Sequence, residues 1–288
     1  MGWAESLQQA INFIEENLLE EVTIEDIAKQ ADSSVFHFQR AFSILTDMAV
    51  GEYLRKRRLT LAGHELMSTS TKIIDLAFKY GYDTPEAFTK AFRRQHGITP
   101  SEARKNLGKL QSYNRLVIQV NLKGAEPMNF KVVEKEAFEV VGVKREFSMD
   151  TEENMTGIPR MWTEANSNGT SDLLLQNNNG DFKALLGVCT NFADKRTMDY
   201  WIAAAHEGET PEGLLKLSIP ASKWGVFEVQ GAMPNAIQKV WKQIYSEWFP
   251  SNPFEPAGTA ELEVYPPGDA YRDDYYSEIW IPLKNSEK

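Results

Sequence analysis

A segment of about fifty residues occurs twice in the first 112 residues, and a duplicated helical unit leaves few folds open. Asp26-Ile27-Ala28 returns 49 residues later as Asp75-Leu76-Ala77, and Phe38-x-Arg40-x-Phe42 returns 50 residues later as Phe88-x-Lys90-x-Phe92. Apolar spacing inside the repeat is helical. Trp3, Leu7, Ile11, Ile14 and Leu18 form one stripe of a first helix. Thr23 caps a short second helix, with Asp26 placed to reach back. Ser33 or Ser34 opens the next, whose buried stripe is Val35, Phe38, Phe42 and Leu45. A longer helix over roughly 49–67 turns Tyr53, Leu54, Leu61 and Leu66 inward and carries Arg55, Lys56, Arg57 and Arg58. In the second copy Gly81-Tyr82-Asp83 supplies a sharp turn, Thr84 an N-cap, Pro85 the N1 position and Gly97 the C′ glycine. Thr99 to Glu102 has capping-box spacing.

A short helix, a turn and a second helix, made twice, suits major-groove reading if the exposed face of each second helix is polar or basic. Opposite Phe38 and Phe42 the first copy offers Phe36, His37, Gln39 and Arg40; the second offers Glu86, Thr89, Lys90 and Arg93. Phe36 is expected to be exposed, because Phe38 and Phe42 already fill the buried stripe. His37 has no partner at metal-ligand spacing. The run Arg55–Arg58 is read equally well as phosphate contacts or as a solvated face.

The net charge of −10 conceals a segregation. Residues 1–26 carry seven acids and no Lys or Arg, residues 27–112 carry a net of +6, and residues 113–288 a net of −9. A basic segment inside an acidic chain fits phosphate binding. No apolar run reaches the ~18 residues of a membrane span, and the opening residues lack a signal-peptide pattern. Cys189 is the one cysteine, so an intrachain disulfide and a zinc cluster are excluded, and a reducing cytoplasm is expected.

SSVFHFQRAF, LRKRRLTLAGHEL and IIDLAFKYGYDTPEAFTKAFRRQHGITPSEARK together resemble the AraC/XylS family, with a Rob-like domain order, over roughly residues 5–107. The chain departs from that family at Asp47 and Glu102, where glycine and a bulky residue are usual. The resemblance implies a DNA-binding transcription regulator with RNA polymerase as a partner. It places Phe36, Gln39 and Arg40 at base-facing positions of the first unit, and Pro85, Glu86 and Lys90 at those of the second.

Polar turns over 105–128 mark a boundary, and beyond it the period changes from helical to two. Strands are expected at Phe130 to Phe147, 184–189, 198–203, 224–229, 260–265 and 277–282, with helices starting at Pro159 and Pro234. The polar stretch 165–180 reads as a loop. The fold class expected is therefore two domains. Residues 1–112 form an all-α double helix-turn-helix, 113–127 a linker, and 128–288 an α+β domain of tandem β-α-β-β repeats.

WGVFEVQG, AIQKVWKQIYSEWFPSNPFEP, AELEVYPPG and SEIWIPL resemble the GyrI-like effector-binding domain. By that resemblance Glu263 and Glu278 match pocket carboxylates, with Tyr265 and Trp280 beside them; Phe227 is added as an aromatic face. A carboxylate among aromatic rings attracts a hydrophobic organic cation. Leu262 and Val264 alternate with Glu263, so the glutamate points away from one apolar face, toward either a groove or solvent. No cofactor or metal is expected. An alternative is hydrolysis of small electrophiles by Glu263 with Tyr265, which no nucleophile–base constellation supports.

Overall fold

In the computed structural model, residues 3–118, 127–151, 153–190 and 197–284 are described, without the side chains of Trp3 and Ala4. Residues 119–126 of the expected linker and the place of Trp3 in its stripe lie outside the described residues. The chain divides into two compact units. One holds the described residues up to Ser33 and from Val50 to Ile118; the other holds Ser34–Ala49 together with those from Pro127 on.

The first unit is helical: α1 (Trp3–Glu16), α2 (Ile24–Gln30), then α4 (Val50–Ser68), α5 (Ile73–Lys79), α6 (Pro85–His96) and α7 (Pro100–Arg104). Leu7, Ile11, Ile14 and Leu18 are buried as their spacing requires. Local chemistry sets the helix ends. Thr23 accepts the Asp26 N–H, Thr84 accepts the Ala87 N–H, and Thr99 with Glu102 closes a reciprocal capping box. Gly97 ends α6 at φ 76°. Around α4, α5 and α6 the core is Leu59, Leu66, Leu76, Tyr80, Phe88 and Phe92. His96 is buried beside it. Its Nδ1 accepts the Gln111 N–H at 3.2 Å and its Nε2 lies 3.1 Å from the Leu59 carbonyl, so Nε2 carries the proton. Burial holds this ring neutral by lowering its pKa, against the Leu59 hydrogen bond.

In the second unit α3 (Val35–Thr46) is capped by Ser34, which accepts the His37 N–H, and ends at Asp47 with φ 53°. Asp47 takes the left-handed conformation that a glycine would supply without a Cβ penalty. The rest is β1 (Phe130–Lys135), β2 (Phe138–Ser148), α8 (Glu153–Ser167), α9 (Thr170–Gln176), β3 (Leu185–Thr190), β4 (Thr197–Ala205), β5 (Leu215–Ile219), β6 (Ser222–Gln230), α10 (Asn235–Gln243), β7 (Glu255–Pro256), β8 (Glu261–Tyr265) and β9 (Tyr276–Lys284). After α10 the helix continues through a π-helical turn, Ile244–Trp248.

The strands form one antiparallel sheet in the order β1-β6-β9-β8-β3-β4-β2-β5, with β7 on β9. The halves β6-β9-β8 and β2-β4-β3 mirror each other about the β3–β8 seam, where Gly187 faces Glu263. This is the tandem repeat read from the sequence. Apolar side chains from both ends of the sheet share one cluster. Val140 and Ile219 from one end share a cluster with Trp224 and Val226 from the other and with Val188 and Leu262 at the seam. Two expectations are corrected. The helix expected to start at Pro159 starts at Glu153, with Pro159 inside it, and the stretch read as a loop contains α9, fixed by fully buried Leu174.

Candidate effector site and DNA-reading helices

Glu261, Glu263 and Tyr265 alternate with Leu262 and Val264 along β8, so the first three share a face. Leu262 and Val264 enter the apolar cluster on the opposite face. Glu263 accepts from aromatic groups of three elements, with a fourth behind them. Trp241 of α10 donates its indole N–H to Oε1 at 2.8 Å. Tyr200 of β4 and Tyr265 donate their hydroxyls to Oε2 at 2.9 and 3.1 Å. Trp162 of α8 donates to the Tyr200 oxygen at 2.8 Å and packs edge-on against Tyr265, with ring centroids 5.1 Å apart. Corresponding helices of the two repeats thus each supply one tryptophan.

Close approach at this point depends on Gly187. A Cβ there would overlap the Tyr200 hydroxyl and stand 2.9 Å from Glu263 Oε2. Burial, reinforced by the Glu263 charge, raises the Tyr200 and Tyr265 phenols well above their usual pKa, so both remain donors. Burial likewise pushes Cys189 up to about 12, keeping it a thiol.

Beside this cage α3 inserts two residues of one face. Phe36 is 3% exposed and joins Val141, Phe147, Met161 and Met198 in an apolar cluster. One turn on, Arg40 donates from Nε to Glu261 Oε2 at 2.9 Å, and its guanidinium carbon lies 4.8 Å from the Trp241 ring centroid. Tyr245 donates to the other Glu261 oxygen at 3.0 Å. Gln39 donates to Asp150 at 3.2 Å, and the Lys242 ammonium meets Asp47 at 2.5 Å. Burial works against the Arg40 cation, but the nearby negative charges, the carboxylates of Glu261 and Glu263 among them, outweigh it and raise its pKa. Burial drives His37 down to about 3, with Lys284 and Arg40 adding to the effect.

These positions sort the residues singled out from the sequence. Glu263 and Tyr265 come together. Phe227 shares their face but is fully buried between Phe130 and Trp248, away from the cage. Glu278 and Trp280 lie on the other face, and this corrects the expectation that they flank Glu263. Trp280 pairs in register with Leu262, donates to Glu278 at 2.7 Å and packs on Phe182 and Trp224. Trp162, Tyr200, Trp241 and Glu261 were not singled out. Glu261 has the same strand parity as Glu263, and Trp162 and Trp241 fall on equivalent helices, which were the available signals.

On α6, Glu86, Lys90 and Arg93 are exposed, with Arg94 beside them, and Thr89 is half-buried. The face is polar and basic, opposite buried Phe88 and Phe92. On α3 the expected exposure of Phe36 is overturned, and Gln39 is buried with it, because the second unit gives Phe36 an apolar cluster and Gln39 the Asp150 carboxylate. The basic run of α4 is engaged within its own unit. Arg57 forms a double hydrogen bond with Glu15, Arg58 donates to the Leu18 and Glu20 carbonyls, and Arg55 and Lys56 pair with Glu52.

Among the described residues no helix is long and apolar enough to cross a membrane, and no cluster of His, Cys, Asp or Glu could hold a metal ion. Residues 131–283 match the family model described as integron-associated effector binding protein, and residues 27–106 match a helix-turn-helix domain. The helical part is 37% identical over 95 residues to the HTH-type transcriptional activator AarP of Providencia stuartii, covering 33% of this chain and 70% of AarP. It is 36% identical over 107 residues to the regulatory protein SoxS of Salmonella typhimurium, covering 37% of this chain and all of SoxS. The structure of SAV2435 bound to tetraphenylphosphonium is similar with a TM-score of 0.51 and 26% identity, over 56% of this chain and 96% of that one. The chain belongs to the integron-associated effector binding protein family and is an AraC-type DNA-binding regulator that carries this effector-binding fold as its C-terminal domain.

Proposed function

We propose that the effector is a hydrophobic organic cation held against Glu263. The observation that carries this reading is one carboxylate bonded by Tyr200, Trp241 and Tyr265, with Trp162 packed behind the two tyrosines, which offers a counter-charge among aromatic groups to a soft cation. The similarity to SAV2435, solved with tetraphenylphosphonium, supports the same ligand class. The division of labour is residues 1–112 for DNA, with α3 and α6 as reading helices, 113–127 as linker and 128–288 for the effector. Phe36, Gln39 and Arg40 read one half-site, and Glu86, Thr89, Lys90 and Arg93 the next. RNA polymerase is the partner through which such a cytoplasmic regulator acts.

Hydrolysis by Glu263 and Tyr265 is the weaker reading. Three hydrogen bonds already fill most of the acceptor sites of the Glu263 carboxylate, which leaves little room to position a water.

Calorimetric titration of the full chain with tetraphenylphosphonium and with neutral triphenylphosphine oxide tests the proposal. Glu263→Gln keeps the shape and removes the charge, so it should weaken the cation at least tenfold more than the neutral compound. Equal losses for both would sink the reading.

A further inference from the structure

The face of α3 suited to reading DNA is the face held by the effector fold. Phe38 and Phe42 line one side of the helix, and Phe36, Gln39 and Arg40 the other. Each of these three is engaged: Phe36 in the apolar cluster, Gln39 on Asp150 and Arg40 on Glu261. A helix buried on this side has no such face to offer a major groove.

Arg40 carries the chemistry of the expected ligand. A guanidinium is a planar, weakly hydrated cation that stacks on aromatic rings. Here it lies over Trp241, the indole whose N–H supports Glu263. Glu261 and Glu263 are neighbours on the same strand face, and both act on the Arg40 charge. A cation drawn to Glu263 therefore meets a second cation already sharing its tryptophan and its negative potential.

The geometry points to α3 as a built-in occupant of the surface beside Glu263, with Arg40 as the internal cation that an organic cation displaces to free the DNA-reading face. The trigger rests on the reading of Glu263 as a cation site; the capture of α3 stands on the contacts of Phe36, Gln39 and Arg40 alone. A ligand shifts such an equilibrium only by its difference in affinity for the two states. Competition for Trp241 and for the carboxylate field supplies that difference.

Hydrogen exchange of the full chain over residues 34–46 tests this, with exchange over β8 and β9 as the folding control. In Glu261→Gln, Arg40 loses its buried counter-charge, and α3 amides should exchange roughly tenfold faster or more. Lys242→Glu sets two acids face to face at the surface, so it loosens α3 without a buried change. Saturating tetraphenylphosphonium should reproduce the effect in the wild-type chain. Unchanged α3 exchange in both variants overturns the capture. Calorimetric binding of the cation with no change in α3 overturns the displacement and leaves the pocket reading intact. Faster exchange in the variants without any cation binding upholds the capture and removes the cation reading.

Discussion

The Arg40 Nε lies 2.9 Å from Glu261 Oε2, in an ion pair whose side chains keep 12% and 4% exposure. A pair this dry is worth little net, yet leaving one partner alone in the interior is costly. Arg40→Met keeps much of the apolar stem and removes the competing charge. Tetraphenylphosphonium should then bind the full chain about tenfold tighter than it binds wild type. Unchanged affinity in the titration would show that Arg40 and the ligand do not compete.

Gly187 is where the two repeats meet over Glu263. Gly187→Ala would push a methyl group into the Tyr200 hydroxyl and toward Glu263 Oε2. The neighbouring strands are fully paired and cannot withdraw, so the Tyr200 side chain has to move. Cation affinity should fall tenfold or more, while the melting temperature falls by only a few degrees. A variant binding as tightly as wild type would place the ligand elsewhere.

Glu278 faces away from the cage, with Trp280, Tyr276 and Lys131 as partners. Glu278→Gln should leave cation affinity within about twofold of wild type, since its carboxylate partners are Tyr276, Trp280 and Lys131 and not the residues of the cage. A loss comparable to that of Glu263→Gln would mean that ligands bind on the other face of the sheet.

His37 links α3 docking to pH. Its ring packs 5.6 Å from Tyr245, with Arg40 and Lys284 as the charges acting on it. Burial, aided by those charges, lowers the docked value from 6.5 to about 3. The docked state is therefore fully favoured above 6.5 and loses ground as pH falls from 6.5 toward 3. From pH 7 to 5.5 docking should weaken roughly tenfold. NMR of the His37 ring in the full chain should find it neutral at pH 6 and titrating nearer 6.5 in Glu261→Gln. A wild-type ring half-protonated near 6.5 would contradict its burial.

The helical part was legible because its signals are local. The caps at Thr23, Thr84 and Thr99, the turn glycine Gly81 and the αL residue Asp47 each act within a few residues. The strand parity of β8 was equally readable, since only Leu262 and Val264 are wholly apolar there. Along β9 the same reasoning failed. Both faces of the sheet are covered at this strand, so Ile279 and Trp280 carry the same apolar signal on opposite sides. Trp241 reaches Glu263, and Trp162 its tyrosine partners, only through helix-to-sheet packing. The capture of α3 joins residues as distant as Arg40 and Glu261, and no spacing near either one announces it.

The affinity of the full chain for DNA, with and without an organic cation, tests the account at its centre. The duplex is one selected from random sequence by the Glu261→Gln chain, and the cation is saturating tetraphenylphosphonium. Release of α3 should raise wild-type affinity about tenfold or more, and by linkage the duplex should tighten cation binding by the same factor. Equal affinities in the two conditions, or a weaker complex with the cation, would contradict it.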